Sequence, residues 1–226
     1  MRQSLTSQLA TPSSPLLLNS FSILSSTHSS VSSFLSIFQN SRQARGARGA
    51  PTESEQDLLR AMLIFASSGL DSMVKQLVRD TLRTVINVDE GAAAMFRTHI
   101  ERRMKRGDEL DYKLLASLIA TNEPRDSMMS DLIDVICGSS LQSKDQLLKV
   151  AAFLNIPSAK LASDYALLDR IFEARNQVAH EMDIEFGQTG RNRRPRRQGQ
   201  IISFVNEVFR LASAFLSEVD NKLPSR

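Results

Sequence analysis

A single helical period running from Thr52 to about Val85 constrains this chain more than any other feature. Thr52-Glu53-Ser54-Glu55 has the spacing of a capping box, a hydroxyl at the cap and a carboxylate three positions later, and predicts a helix start. From there Leu59, Met62, Leu63, Ala66, Leu70, Met73, Val74, Leu77 and Val78 advance by steps that keep one face apolar. Gly69 interrupts the run at a cost of about 1 kcal/mol relative to alanine, which marks it as the expected point of a close helix crossing. The rest of the chain follows the same period. Further helices are predicted near 19–40, 89–106, 110–120, 125–137, 144–154, 163–182 and 200–221, punctuated by Gly107, Pro124, Gly138 and Pro157. No segment alternates as a strand does, and the β-branched pairs Val85-Ile86 and Ile201-Ile202 fall inside helical periods. The expected fold is an all-α multi-helix bundle.

With 226 residues, the chain has room for one sizeable core and not for two full enzyme domains. The expected organisation is a flexible arm over 1–18, one helical domain over 19–221 and a short tail over 222–226. Within the domain, 41–52 reads as a linker and 187–199 as an arginine-rich loop bounded by glycines. Residues 3–41 contain no charged side chain, but Ser, Thr, Asn and Gln interrupt them too often for a membrane span. A Ser-rich, Arg-bearing, acid-free start also has the composition of a transit peptide. Against that, Phe21, Leu24, His28, Val31, Leu35 and Phe38 form one helical stripe, expected to pack on the body.

Several chemistries are excluded at this stage. Cys137 is the single cysteine, so internal disulfides and multi-cysteine metal clusters are out, and a reducing, cytoplasmic setting is expected. His28, His99 and His180 are too far apart in sequence to form a local metal pair. No phosphate loop, dinucleotide fingerprint or nucleophile elbow is present. Neither a metal nor a cofactor is expected. The acid pairs Asp131/Asp134 and Asp108/Asp111 have the spacing of any wet helix face, His99 reads as a wet-face residue, and His28 as a packed or boundary one. Residues 53–226 carry one more acid than base, so any nucleic-acid contact has to come from a local basic cluster.

One constellation remains, Arg175-Asn176-Gln177-Val178-Ala179-His180. At about 100° per residue, His180 lies roughly 40° from Asn176, one turn away on the same side, and roughly 140° from Arg175. The long Arg175 side chain can still curl toward that side. A permanent cation with five donors, an imidazole and an orienting amide suit an oxyanionic phosphoryl centre. The residues alone also admit a surface ion pair for Arg175, with Glu173 or Asp169, and a packed histidine. The second basic feature is Arg191, Arg193, Arg194, Arg196 and Arg197, shortly after the motif. It reads either as a grip on RNA phosphates flanking the site or as a solvated loop.

Arg-Asn-x-x-x-His near the end of a late helix resembles the motif of the HEPN superfamily, all-α domains of which many are ribonucleases in toxin–antitoxin, abortive-infection and CRISPR systems. The stretch Asp57 to Asp71, with its Leu-Arg-Ala start and aliphatic run, is similar to the long early helix of the RiboL-PSP-HEPN subgroup. Phe34 to Phe38 and Ile201 to Val205 fit the same subgroup. The resemblance implies a metal-independent endoribonuclease acting as a homodimer with a composite active site. His180 would be general base or acid, Arg175 would hold the scissile phosphate, and Asn176 would fix their geometry. It also implies an RNA substrate, a 2′,3′-cyclic phosphate product and a possible antitoxin or regulatory partner. Position 182 departs from the pattern, because methionine stands where toxins of this kind often carry a tyrosine modified by the antitoxin. A non-catalytic helical module that binds a protein, nucleotide or RNA partner is the alternative, and a purely structural bundle is a third reading.

Overall fold

The computed structural model describes residues 4–6, 9–46, 49–106, 109–161, 164–187 and 192–224. Among them a 3-10 turn (Pro15–Leu17) leads into α1 (Leu18–Ala44), α2 (Glu53–Val88), α3 (Glu90–Arg103), α4 (Tyr112–Ile119), α5 (Pro124–Cys137), α6 (Lys144–Phe153), α7 (Ser158–Leu161), α8 (Tyr165–Glu181) and α9 (Gln198–Asp220). The only strands among the described residues are β1 (Lys105–Arg106) and β2 (Glu109–Leu110), a short antiparallel ribbon between α3 and α4. The fold is an all-α multi-helix bundle.

The long period becomes α2, with 36 residues and a length of roughly 54 Å. Its start is the expected capping box: Glu55 N–H donates to Thr52 Oγ1 at 3.3 Å, and Thr52 N–H donates back to the Glu55 carboxylate at 2.8 Å. The same carboxylate is buried and bound by Arg45, so it also fastens the end of α1 to the start of α2. Helices α1 and α9 pack along α2, and Leu59, Leu63, Leu77 and Val78 between them are fully enclosed. Gly69 marks the α1–α2 crossing, where a Cβ would lie 2.2 Å from Thr27 Oγ1 and 2.7 Å from Thr27 Cβ. Neither helix backbone can yield cheaply at that spacing. Gly69→Ala is therefore expected to lower the urea midpoint by the equivalent of about 1–3 kcal/mol, despite alanine's better helix propensity. A gain in stability would show that the crossing is loose.

Three expectations change in the folded chain. Helix α1 continues to Ala44, four residues into the span read as linker, because Arg42 and Arg45 reach the buried Glu55. The described part of the N-terminal arm lies against α9, where Ser13 N–H and Ser14 N–H both donate to Asp220 and Thr6 N–H donates to Asn206, and Leu17 is fully buried. His28, as expected, is a boundary residue, its ring 5.0 Å from that of Phe209 and its Nε2 2.7 Å from the Thr6 carbonyl.

His99 is the third. It is 9% exposed rather than on a wet face, and its Nε2 lies 3.1 Å from Asp131 Oδ2, while Arg103 grips the same carboxylate through two nitrogens. Asp131 is thus a tertiary tie and not an idle surface acid; Asp108 lies outside the described residues, and Asp111 caps α4. Burial is the largest influence on the His99 imidazole and lowers its pKa, with Asp131 opposing and Arg103 and Lys149 adding to the shift. The unfolded chain therefore takes up this proton first as pH falls below about 6.5, and acidification through that window favours unfolding. His99→Gln is expected to flatten the fall in urea midpoint between pH 7 and 5.5; an unaltered pH slope would remove His99 from the account.

Candidate functional site

Helix α8 carries the motif. Asp164 caps it by accepting the Leu167 N–H at 2.9 Å, and Leu168, Ile171, Phe172 and Ala174 turn one face into the core. That register leaves Asn176, Ala179 and His180 exposed on the other side, with Arg175 half-buried at the flank. Arg175 does curl as its stem length allows. Its Nη1 donates to Asn176 Oδ1 at 3.1 Å and stands 3.2 Å from His180 Nε2. For the second contact to be a hydrogen bond, Nε2 must accept, which puts the ring proton on Nδ1. The three residues are already assembled within one chain.

The environment of Arg175 differs from that of a structural arginine. Burial holds the guanidinium below its ordinary pKa, with only the charge of Asp71 pulling the other way. Its Nε is enclosed and has no hydrogen-bond partner, and no carboxylate lies within ion-pair distance among the described residues. The expected surface pairs do not form: Asp169 is taken by Lys144, and Glu173 accepts from Gln177. A half-buried cation with no carboxylate in ion-pair contact among the described residues is a prepared seat for an anion, and the imidazole nitrogen it now contacts is released to take a proton when an anion draws the guanidinium away.

Immediately after the motif the chain turns sharply. Met182 and Asp183 both adopt left-handed backbone, with φ of 53° and 60°, and Asp183 N–H returns to the Gln177 carbonyl at 2.8 Å. Asp183 is fully buried and receives Arg60 Nε at 2.8 Å from α2 and Arg196 Nε at 2.9 Å from the loop; Arg196 Nη2 binds its other oxygen. Arg196 Nη2 also donates to Gln177 Oε1 at 3.0 Å, and the Arg196 N–H donates to Gln56. Burial opposes the Asp183 charge, yet the two arginines hold its carboxyl below the usual range. This cluster joins α2, the end of α8 and the loop into one unit.

The loop arginines consequently divide. Arg196 is buried and bound to Asp183, so it is not the surface phosphate contact expected from the sequence. Arg193 pairs with Asp57 at 2.7 Å, and Arg194 with Glu181 at 3.1 Å. An isolated antiparallel bridge between Ile184 and Arg193 lays the loop back along the turn. Arg197 is exposed at the cap of α9 and has no ion pair among the described residues, while Arg191 lies outside them. Pattern reading missed Arg60, Gln177 and Asp183. Arg60 carried a signal, since it shares a buried stripe with Gln56, Leu63 and Ser67, where an arginine requires a partner. Among the described residues, no group of three or more His, Cys, Asp or Glu is arranged to hold a metal ion. No helix there is long and apolar enough to cross a membrane. Compared with known proteins, the chain matches no family model, no curated protein and no solved structure at a significant level.

Proposed function

We propose that this chain is a metal-independent endoribonuclease of HEPN type, in which Arg175, Asn176 and His180 cleave RNA by attack of a ribose 2′-hydroxyl on the adjacent phosphate. The observation that carries the reading is the state of Arg175: half-buried, without a carboxylate in ion-pair contact among the described residues, and 3.2 Å from the accepting nitrogen of an exposed histidine. A phosphodiester oxygen supplies the charge that the guanidinium lacks, and the negative charge that grows on the phosphorus oxygens strengthens the contact toward the transition state. Once the phosphate has drawn Arg175 off His180 Nε2, that nitrogen accepts the 2′-hydroxyl proton, the 2′-oxygen bonds to phosphorus, the bond from phosphorus to the 5′-oxygen breaks, and the 5′-oxygen takes a proton from water. The products are a 2′,3′-cyclic phosphate and a 5′-hydroxyl. RNA is required because DNA has no such nucleophile.

The resemblance suggests a homodimer in which two α8 helices line one cleft, a toxin or anti-phage role in the cytoplasm, and restraint by a protein partner. Met182 offers no hydroxyl for modification, so restraint by binding is the expected form. Arg197, with the remaining donors of Arg193 and Arg194, is the expected contact to flanking phosphates. The test is cleavage of total RNA by purified protein in excess EDTA, with end mapping of the fragments. Cyclic-phosphate ends formed in EDTA support the reading. RNA left intact by the dimer across pH and salt, or ends of another kind, would remove it.

A further inference from the structure

Away from the motif, a cavity of about 330 Å³, open to solvent, lies between the end of α2 and helices α3, α4 and α5. Ile86, Phe96 and Met128 form its floor and are nearly fully buried, and Leu118 of α4 closes one wall. The volume falls in the range of small-molecule pockets, and such a floor binds apolar groups. The mouth has the opposite character, because Arg97 and Arg125 both line it. Arg97 has no hydrogen bond or ion pair among the described residues, and Arg125 donates only to the neutral Asn87 amide, at 2.7 Å. Asp126, the nearest acid in sequence to Arg125, is engaged by Arg83 at 3.1 Å. The first turn of α5 also lines this mouth, but Glu123 at its cap and Asp126 within it offset its dipole, so the positive field comes from the two guanidinium groups.

From an apolar interior below two unpaired guanidinium groups, we infer that this cavity binds a small amphipathic carboxylate, with an aliphatic tail of about eight carbons inside and its carboxylate at Arg97 and Arg125. The charge complementarity decides the class. A neutral lipid leaves both cations uncompensated, and a phosphate without a tail leaves the apolar floor empty. Arg97 belongs to α3 and Arg125 to α5, so a ligand held by both bridges two helices. The site does not depend on the nuclease reading: Ile86 lies roughly 22 Å along α2 from Asp71, the acid whose charge reaches Arg175.

The experiment is calorimetric titration of the full chain with octanoate, with octanol as the uncharged match. Saturable one-to-one binding with a Kd on the order of 100 µM is expected, and octanol is expected to bind at least tenfold more weakly. Arg97→Ala and Arg125→Ala should each weaken octanoate about tenfold, and Ala93→Phe, which fills the cavity from α3, should abolish binding. Arg175→Ala should bind octanoate like the parent. No saturation by about 10 mM, equal affinity for octanol, or indifference to both arginine variants would each overturn the assignment. The arginine variants change only exposed side chains, so they decide the matter even where Ala93→Phe does not fold.

Discussion

Arg175→Met and His180→Ala are expected to lose RNA cleavage by two to four orders of magnitude without losing stability. The activity part follows from the roles: removal of a positioned general base costs about 10²–10⁴-fold, and loss of a charged donor to the developing oxyanion about 10²–10³-fold. The stability part follows from the surroundings. His180 is exposed, and Arg175 is a partly desolvated cation whose Nε has no acceptor and which no carboxylate contacts among the described residues. Replacing it with an apolar chain of similar length removes an orphan donor, and the urea midpoint should stay level or rise by the equivalent of about 1 kcal/mol. Arg175→Lys keeps the charge but not the forked geometry and should recover only a small part of the rate. A structural arginine behaves in the reverse way, with a clear drop in midpoint on Arg175→Met. That drop, with RNA cleavage unchanged, would end the catalytic assignment.

Asp183→Ala is expected to be the most damaging single change to folding, at about 3–5 kcal/mol. The deletion leaves the buried Arg196 without a carboxylate beside Arg60, which keeps Glu53 and Asp57, and it places alanine in a left-handed conformation that aspartate tolerates better. Asp183→Asn keeps the backbone preference and one acceptor, so its loss should be smaller. The carboxyl titrates below its ordinary range because Arg196 and Arg60 outweigh burial. Its contribution is therefore fully present above about pH 4, the unfolded value, and disappears as acid reaches the lower folded value. Urea unfolding of the parent and both variants at pH 7 and in acid provides the check. Equal midpoints at pH 7 would mean that water reaches the cluster and screens it.

The helices were legible because their signals are local. The Thr52–Glu55 box, the stripe from Leu59 to Val78 and the breakers at Pro124 and Gly138 act over three or four residues, and the folded helices follow them closely. Gly69 could be read as a crossing because a glycine within a strong helical stripe needs a packing reason, although its partner Thr27 could not be named. The Arg175–His180 contact was accessible as a shared side of one helix. The fate of the loop arginines was not. Arg193, Arg194 and Arg196 find acids on α2, on α8 and in the turn after α8, and Asp183 meets Arg60 across 123 positions. Composition shows how many charges a loop holds and says nothing about which are already neutralised. His99 failed for the same reason, since the acid that draws it inward is on another helix.

The order in which the pieces of the core are made has a consequence for the living cell. Helix α9, which covers one flank of α2, is the last helix of the described chain to leave the ribosome, and the Thr6 and Ser13–Ser14 anchors wait for its Asn206 and Asp220. Until then a nascent chain can fold the α1–α2 hairpin but presents a greasy strip of the kind that chaperones recognise. Completion of the core thereby waits for the synthesis of α9, and a ribosome that stalls before it releases a client for proteolysis.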